Sequence, residues 1–165
     1  MKYPIGIQDF ERIITEGYLY VDKTPLMYEM VQNGSVYFLS RPRRFGKSLL
    51  VSTLKYYFEG KKQLFKGLAI ERLEKEWKSY PVFHLDFNGK DFTRPNELEG
   101  ALEAFVEQQE AIYGRDSVSN TLGDRFIYVI AQAIRQQRQR LTHCYSTTYG
   151  VVIKEKPLGG DKPPP

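Results

Sequence analysis

The chain holds a single cysteine, Cys144, among 165 residues, so no disulfide can close within it, which fits a reducing compartment. Histidine is nearly as scarce. His84 has no partner at metal-ligand spacing, which leaves a hydrogen-bonded strand imidazole as the main alternative to a ligand. The adjacent His143 and Cys144 lack the further ligands that a metal or nucleophile site needs. No apolar stretch approaches the roughly 18 residues of a membrane span, and no signal peptide is visible. A cytoplasmic protein is the expectation. No internal repeat is found either.

What is present is unevenly placed. The net charge is only +4, yet residues 41–66 carry eight bases against one acid, Glu59, so the remainder is net negative. Within that segment Lys61, Lys62 and Lys66 suit a solvated helix face. The length is one domain's worth of chain, with enough apolar content for a core.

Residues 36–50 read as strand, tight loop and helix in immediate succession. Val36, Tyr37, Phe38 and Leu39 form a short β-rich apolar run, and Leu50, Leu54, Tyr57 and Phe58 recur at helical spacing before Gly60. Between them Gly46-Lys47-Ser48 matches the second half of the phosphate-loop signature G-x-x-x-x-G-K-[ST]. Backbone N–H groups at a helix start hold phosphate oxygens, and the helix dipole favours negative charge there. Gly46 lets the main chain come close, Lys47 reaches the β- and γ-phosphates, and the Ser48 hydroxyl is placed to ligate Mg²⁺. Where the signature has its first glycine this chain has Arg41, so the turn must form without that glycine's freedom. Pro42 pushes Arg41 toward an extended conformation, which offers another route to the loop. The competing reading is a basic surface turn before a core helix.

Several separated motifs agree in order. Tyr3-Pro4-Ile5-Gly6-Ile7 with Phe10, then Tyr20-Val21-Asp22-Lys23-Thr24, then Phe38-Leu39-Ser40-Arg41-Pro42-Arg43-Arg44-Phe45-Gly46-Lys47-Ser48, together resemble the predicted AAA-ATPase-like family of bacteria. The resemblance runs over residues 3–131. It implies a P-loop ATPase domain, which in many members precedes a part resembling restriction-type nucleases. The family's loop resembles R-P-R-R-F-G-K-S, so Arg41 is a family feature. The implied ligands are ATP and Mg²⁺, with contacts expected from Arg43, Arg44, Phe45, Gly46, Lys47 and Ser48, and with Ser48 on the metal. The resemblance also places residues 20–23 near the nucleotide base, with a scaffold role as the alternative.

Along the rest of the chain, Asp9 is a fair N-cap for a short helix carrying Phe10, Ile13 and Ile14, ending near Gly17. Thr24-Pro25 starts a second helix with Leu26, Met27, Met30 and Val31 on its apolar face, stopped by Asn33-Gly34. Ile70, Leu73 and Trp77 give a further helical stripe, and residues 80–87 a buried strand with Pro81 at its entry and Asn88-Gly89 at its close. Asp86 sits near that strand's carboxyl end, where ligands bind in open α/β sheets, or else serves turn chemistry with Asn88. Leu98, Ala101, Leu102, Phe105 and Val106 make a helix running to about 113. Ile127, Ile130, Ala131 and Ile134 make another, capped by Thr121 or Asp124. Alternating strands and helices predict an α/β fold: an incomplete P-loop NTPase-type core with a parallel sheet and crossover helices, behind a short helical N-terminal segment. The expected division is a lead-in at 1–35, a partial core at 36–135 and a divergent, poorly ordered tail at 136–165.

The tail is where an ATPase reading meets resistance. The family has there a hydrophobic strand resembling V-V-L-I-D-E-Y-D-K-P, whose acids hold Mg²⁺ and orient the attacking water. Here only Val151, Val152 and Ile153 are strand-like, the following Glu155 lies between two lysines, and residues 159–165 are rich in proline and glycine. The pattern is that of a truncated or frame-altered copy of the family's N-terminal portion. Three functions fit: an ATP-binding module with little or no hydrolysis, an ATPase in which Glu155 or Asp161 replaces the missing acids, or a nucleic-acid or protein interaction module using Arg41, Arg43 and Arg44. No nuclease activity is assigned.

Overall fold

Asp9 caps the first helix as its residue type predicts: extended in backbone, it accepts a hydrogen bond from Arg12 N at 2.8 Å and starts α1 (Phe10–Thr15). The structure, a computed structural model, describes residues 2–33, 36–40, 42, 44–87, 93–118, 121–137, 143–146 and 151–154. α2 (Thr24–Asn33) begins at Thr24-Pro25, but the cap comes from further upstream. Asp22 Oδ1 accepts from Thr24 N at 2.9 Å and from Thr24 Oγ1 at 2.7 Å. The buried Thr24 hydroxyl is left to accept from Ile70 N at 3.2 Å.

β1 (Val36–Phe38) leads through the basic loop into α3 (Lys47–Phe58). A 3₁₀ turn, Lys62–Phe65, and the single-turn α4 (Ile70–Leu73) follow. The helical stripe expected to reach Trp77 stops four residues early. Glu74 is extended and Trp77 itself has φ 41°, so its spacing with Ile70 reflects packing against Tyr57 and Phe65, at ring-centroid distances of 5.8 and 5.1 Å. β2 (Val82–Leu85), α5 (Glu97–Tyr113) and α6 (Leu122–Gln137) match the expected strand and helices. Thr121 and Asp124 cap α6 reciprocally: Asp124 N donates to the Thr121 hydroxyl at 3.1 Å, which donates to Asp124 Oδ2 at 2.6 Å. The Asn88-Gly89 stop lies outside the described residues.

The sequence pattern marks 151–153 as strand-like, and β4 (Val151–Lys154) forms there. β3 (His143–Ser146) is an addition that the pattern does not signal. The sheet has the order β1-β4-β3-β2 and is mixed, not parallel as expected. β4 is antiparallel to both β1 and β3, while β2 and β3 are parallel, so β1, β2 and β3 run one way and β4 the other. The helix pair α5–α6 lies between the parallel strands β2 and β3, as a crossover does.

Two apolar clusters lie against the sheet. The larger gathers around α3, with Phe10, Met27, Leu54, Tyr57, Phe65 and Ile70 at its centre, and Val82 packs against it. Phe83, one residue on, is fully buried in the second cluster with Phe105, Val106, Val129 and Ala133 of α5 and α6. Neighbouring β2 residues thus serve opposite layers, as the two-residue period of a strand dictates. No helix among the described residues is long and apolar enough to cross a membrane.

Candidate functional site

α3 is held from several sides. Its Ser52 Oγ accepts from Phe10 N at 2.9 Å and donates to Asp9 Oδ2 at 3.2 Å, and the Tyr56 hydroxyl reaches the same carboxylate oxygen at 3.0 Å. One acid therefore caps α1 and ties it to α3. Deeper in, the Tyr57 hydroxyl donates to Glu74 Oε2, and burial together with that partner pushes its pKa far above the ordinary phenol value. On the carboxylate, burial works against ionisation, but the Tyr57 bond and backbone N–H groups outweigh it and lower the Glu74 pKa.

This anchored helix opens on the loop. Gly46 is the N-cap, with φ 75° and ψ 17°, and its carbonyl accepts the first helical bond from Leu50 N at 3.0 Å. A Cβ there would meet nothing within 4 Å, so the left-handed backbone is what calls for glycine, and the space in front stays open. Arg44 also has positive φ, at 67°. For a residue with a Cβ this costs on the order of 1–3 kcal/mol, and such strain persists where surrounding structure imposes it. Two left-handed residues just before a helix turn the chain sharply, the geometry from which anion-binding concavities of main-chain N–H groups are built.

Arg44, Phe45 and Gly46 are exposed, and Lys47 and Ser48 are half-buried in the first turn of α3. Phe45, 64 % exposed, contributes little to the core. No acidic residue occupies the first turn, so nothing there repels an anion. The structure thus brings Arg44, Phe45, Gly46, Lys47 and Ser48 together at one helix start, whereas Arg41 and Arg43 lie outside the described residues. A polyphosphate suits this donor set. For Mg²⁺ the protein offers one hydroxyl, Ser48, and no cluster of three or more His, Cys, Asp or Glu able to hold a metal occurs among the described residues. The ion would then be held mainly by phosphate oxygens and water, as is usual for Mg²⁺.

Asp86 is exposed just past the carboxyl end of β2, on the sheet edge to which β1 also points. β4 and β3 intervene, so three strand spacings, roughly 14 Å, separate it laterally from the end of β1. His84 departs from its expected role. Its Nε2 is buried without a hydrogen-bond partner among the described residues, and burial, with Lys55 nearby, lowers its pKa against the opposing pull of Asp86.

Of residues 20–23, Tyr20 and Asp22 make packing and hydrogen-bond contacts, while Val21 and Lys23 are exposed. Tyr20 packs edge-on against Phe10 with centroids 5.2 Å apart, and Asp22 Oδ2 accepts from Ala69 N at 2.8 Å. Burial disfavours the Asp22 carboxylate, but bonds from Ala69 and Thr24 prevail and lower its pKa. An open cleft of about 610 Å³ is lined by Asp22, Pro25 and residues 67–69 and 71–73, and by none of residues 44–48. Sequence reasoning found the cap at Asp9 but not its bonds to Ser52 and Tyr56, because nothing local encodes a partner more than forty residues away.

The family model described as Predicted AAA-ATPase, AAA-ATPase_like, matches residues 4–143. The uncharacterized protein in the vnfD 5' region of Azotobacter chroococcum mcd 1 is 39 % identical over 134 residues, which cover 80 % of this chain and 26 % of that relative. The chain therefore spans about a quarter of the length of the curated relative it matches. No solved structure matches it. With the family model covering most of its length, the chain belongs to the predicted AAA-ATPase-like family.

Proposed function

We propose that the loop at residues 43–48 binds the phosphates of ATP as its Mg²⁺ complex, and that this chain is a nucleotide-binding module with little or no hydrolysis. The observation that carries the reading is the left-handed pair Arg44 and Gly46 at the open start of a twelve-residue, well-anchored helix, with Lys47 and Ser48 in its first turn. Main-chain N–H groups supply the cradle, Lys47 the charge on the outer phosphates and Ser48 one Mg²⁺ ligand. Residues 36–135 would form the partial nucleotide-binding core behind a lead-in at 1–35, with 136–165 as a divergent addition.

Hydrolysis needs an acid near the outer phosphate. The strand beside β1 is β4, which runs the opposite way: Val151 pairs with Phe38 and Ile153 with Val36. The chain thus leaves β4 at Lys154 on the edge away from the loop, and Glu155 and Asp161, the acids offered as replacements, lie outside the described residues. Asp86 points to the correct edge at too great a lateral distance.

Calorimetric titration with Mg²⁺-ATP tests the proposal. The wild-type chain is expected to bind saturably, and Lys47→Ala to weaken binding by about tenfold or more, the worth of a charge-assisted hydrogen bond. Equal affinity in both would refute it. The exposed Arg44-Phe45 pair sustains a second reading, a nucleic-acid surface that combines charge with stacking. That reading requires DNA affinity that falls steeply with salt and persists in Lys47→Ala.

A further inference from the structure

Asp22 and Thr24 fasten the start of α2 to α4: Ala69 N donates to Asp22 Oδ2 at 2.8 Å and Ile70 N to Thr24 Oγ1 at 3.2 Å, with Thr24 and Ile70 fully buried. The open cleft of about 610 Å³ lies along this seam. Its walls are therefore tied before any ligand arrives, which lowers the ordering cost of binding. The lining combines apolar Pro25, Leu68 and Leu73 with charged Asp22, Glu71 and Arg72. The acids are already engaged. Asp22 Oδ1 takes both Thr24 donors and Oδ2 the Ala69 amide, while Glu71 Oε2 accepts from Gly67 N at 2.7 Å, which leaves Glu71 Oε1 open. The bases are not engaged. Arg72, together with Lys23 and Lys66, which adjoin the lining residues Asp22 and Gly67 in the chain, is exposed, and none of the three has an ion pair or side-chain hydrogen bond among the described residues.

We infer that this cleft takes a peptide segment in which an acidic side chain neighbours an apolar one. The carboxylate pairs with the planar fork of Arg72, the apolar side chain lies against Pro25, Leu68 and Leu73, and Glu71 Oε1 accepts a peptide N–H. Lys23 and Lys66 add attraction at longer range. An open cleft covers its ligand from one side only, whereas a small-molecule site buries most of the ligand's surface, so a chain that enters and leaves suits it better. Nucleic acid suits it less. Among the described residues no aromatic ring lines the cleft for a base to stack on, and Asp22 and Glu71 repel closely spaced phosphates. None of residues 44–48 lines the cleft, so this inference does not depend on nucleotide binding.

Fluorescence anisotropy of labelled decapeptides added to the full chain tests it. In the probes a serine-glycine chain carries leucine, isoleucine or phenylalanine beside aspartate or glutamate at its centre, and the controls carry asparagine or glutamine in place of the acid. Saturable binding of acidic probes and not of their controls is expected, and Arg72→Gln should weaken it by about tenfold or more, the worth of a charge-assisted hydrogen bond. Arg72→Lys, which keeps the charge and loses the fork, should recover only part of that loss. Leu73→Ser should weaken binding several-fold. Both sites are exposed, so thermal melts of the free variants should match wild type; Arg72→Lys is the milder substitute if they do not. Lys47→Ala should bind the probes as wild type does, which separates failure of the nucleotide reading from failure of this one. Binding by no acidic probe, equal binding of the controls, affinity indifferent to Arg72, or a preference for oligouridylate over every peptide would each overturn the inference.

Discussion

The layer around α3 and the layer made by α5 and α6 are held together in different ways. Around α3, rings of Phe10, Tyr57, Phe65 and Trp77 interlock, and side chains bond across long sequence distances: Asp9 to Ser52 and Tyr56, Asp22 to Ala69, Thr24 to Ile70. Between α5 and α6 the specific tie is a buried ion pair. Arg125 Nε and Nη2 meet Glu110 Oε1 and Oε2 at 2.9 and 2.8 Å, with Glu103 and Arg115 at the margin. The contrast teaches where rigidity is concentrated. The helix that opens on the loop is fixed by apolar burial and a hydrogen-bond web together, whereas the second layer relies on a small apolar cluster and one fork of charge.

Removing a ring from the first layer should have the largest effect. Phe65→Ala is expected to cost about 3–5 kcal/mol in urea denaturation and to lower ATP affinity as α3 loosens. Val129→Ala, in the second layer, should cost about 2 kcal/mol and leave ATP affinity unchanged. Equal effects on affinity would erase the distinction between the layers.

The ion pair sharpens the comparison next. Glu110→Leu alone leaves the buried guanidinium only the exposed Glu103 at 3.5 Å, and Arg125→Met alone leaves the buried carboxylate only the exposed Arg115 at 4.0 Å, so each should destabilise clearly more than the two changes combined. Double-mutant analysis by chemical denaturation measures this coupling, and simple additivity would show that the pair does not tie the helices. Asp9→Ala follows, at about 2 kcal/mol, since it removes the α1 cap and one partner each of Ser52 and Tyr56.

The smallest effect is a pH dependence. The folded His84 pKa lies below its ordinary 6.5 through burial and the proximity of Lys55. The unfolded chain therefore binds the proton first as pH falls, and stability declines from about pH 6.5 down through the folded pKa. Above pH 6.5 the histidine's contribution to the slope fades over about one pH unit. His84→Asn should remove the decline in melts between pH 6.5 and 5, a window above the ordinary range of free carboxylates, and an unchanged slope would assign it elsewhere.

Legibility in the sequence followed locality. The loop and α3 are readable because apolar strand, Gly-Lys-Ser and helical spacing follow one another without interruption over residues 36–58, and the caps at Asp9 and Thr121 because capping acts over three. The left-handed Arg44 was not, since arginine carries no signature for positive φ. Helical spacing alone extends α4 to Trp77, which in the fold packs on other rings from outside the helix. The mixed sheet was out of reach for another reason. β3 has the unremarkable sequence His143-Cys144-Tyr145-Ser146, and although β3 and β4 pair locally, the β1–β4 and β2–β3 pairings that complete the order join residues more than fifty positions apart.

The claim on which the account turns is that main-chain N–H groups at the start of α3 receive phosphate oxygens. Amide chemical shifts of Gly46, Lys47 and Ser48, followed by NMR as Mg²⁺-ATP and then adenosine are added, report on it directly. The account predicts large, saturable shifts of these amides with ATP and none with adenosine. Amides unmoved by ATP, or moved equally by adenosine, would contradict it.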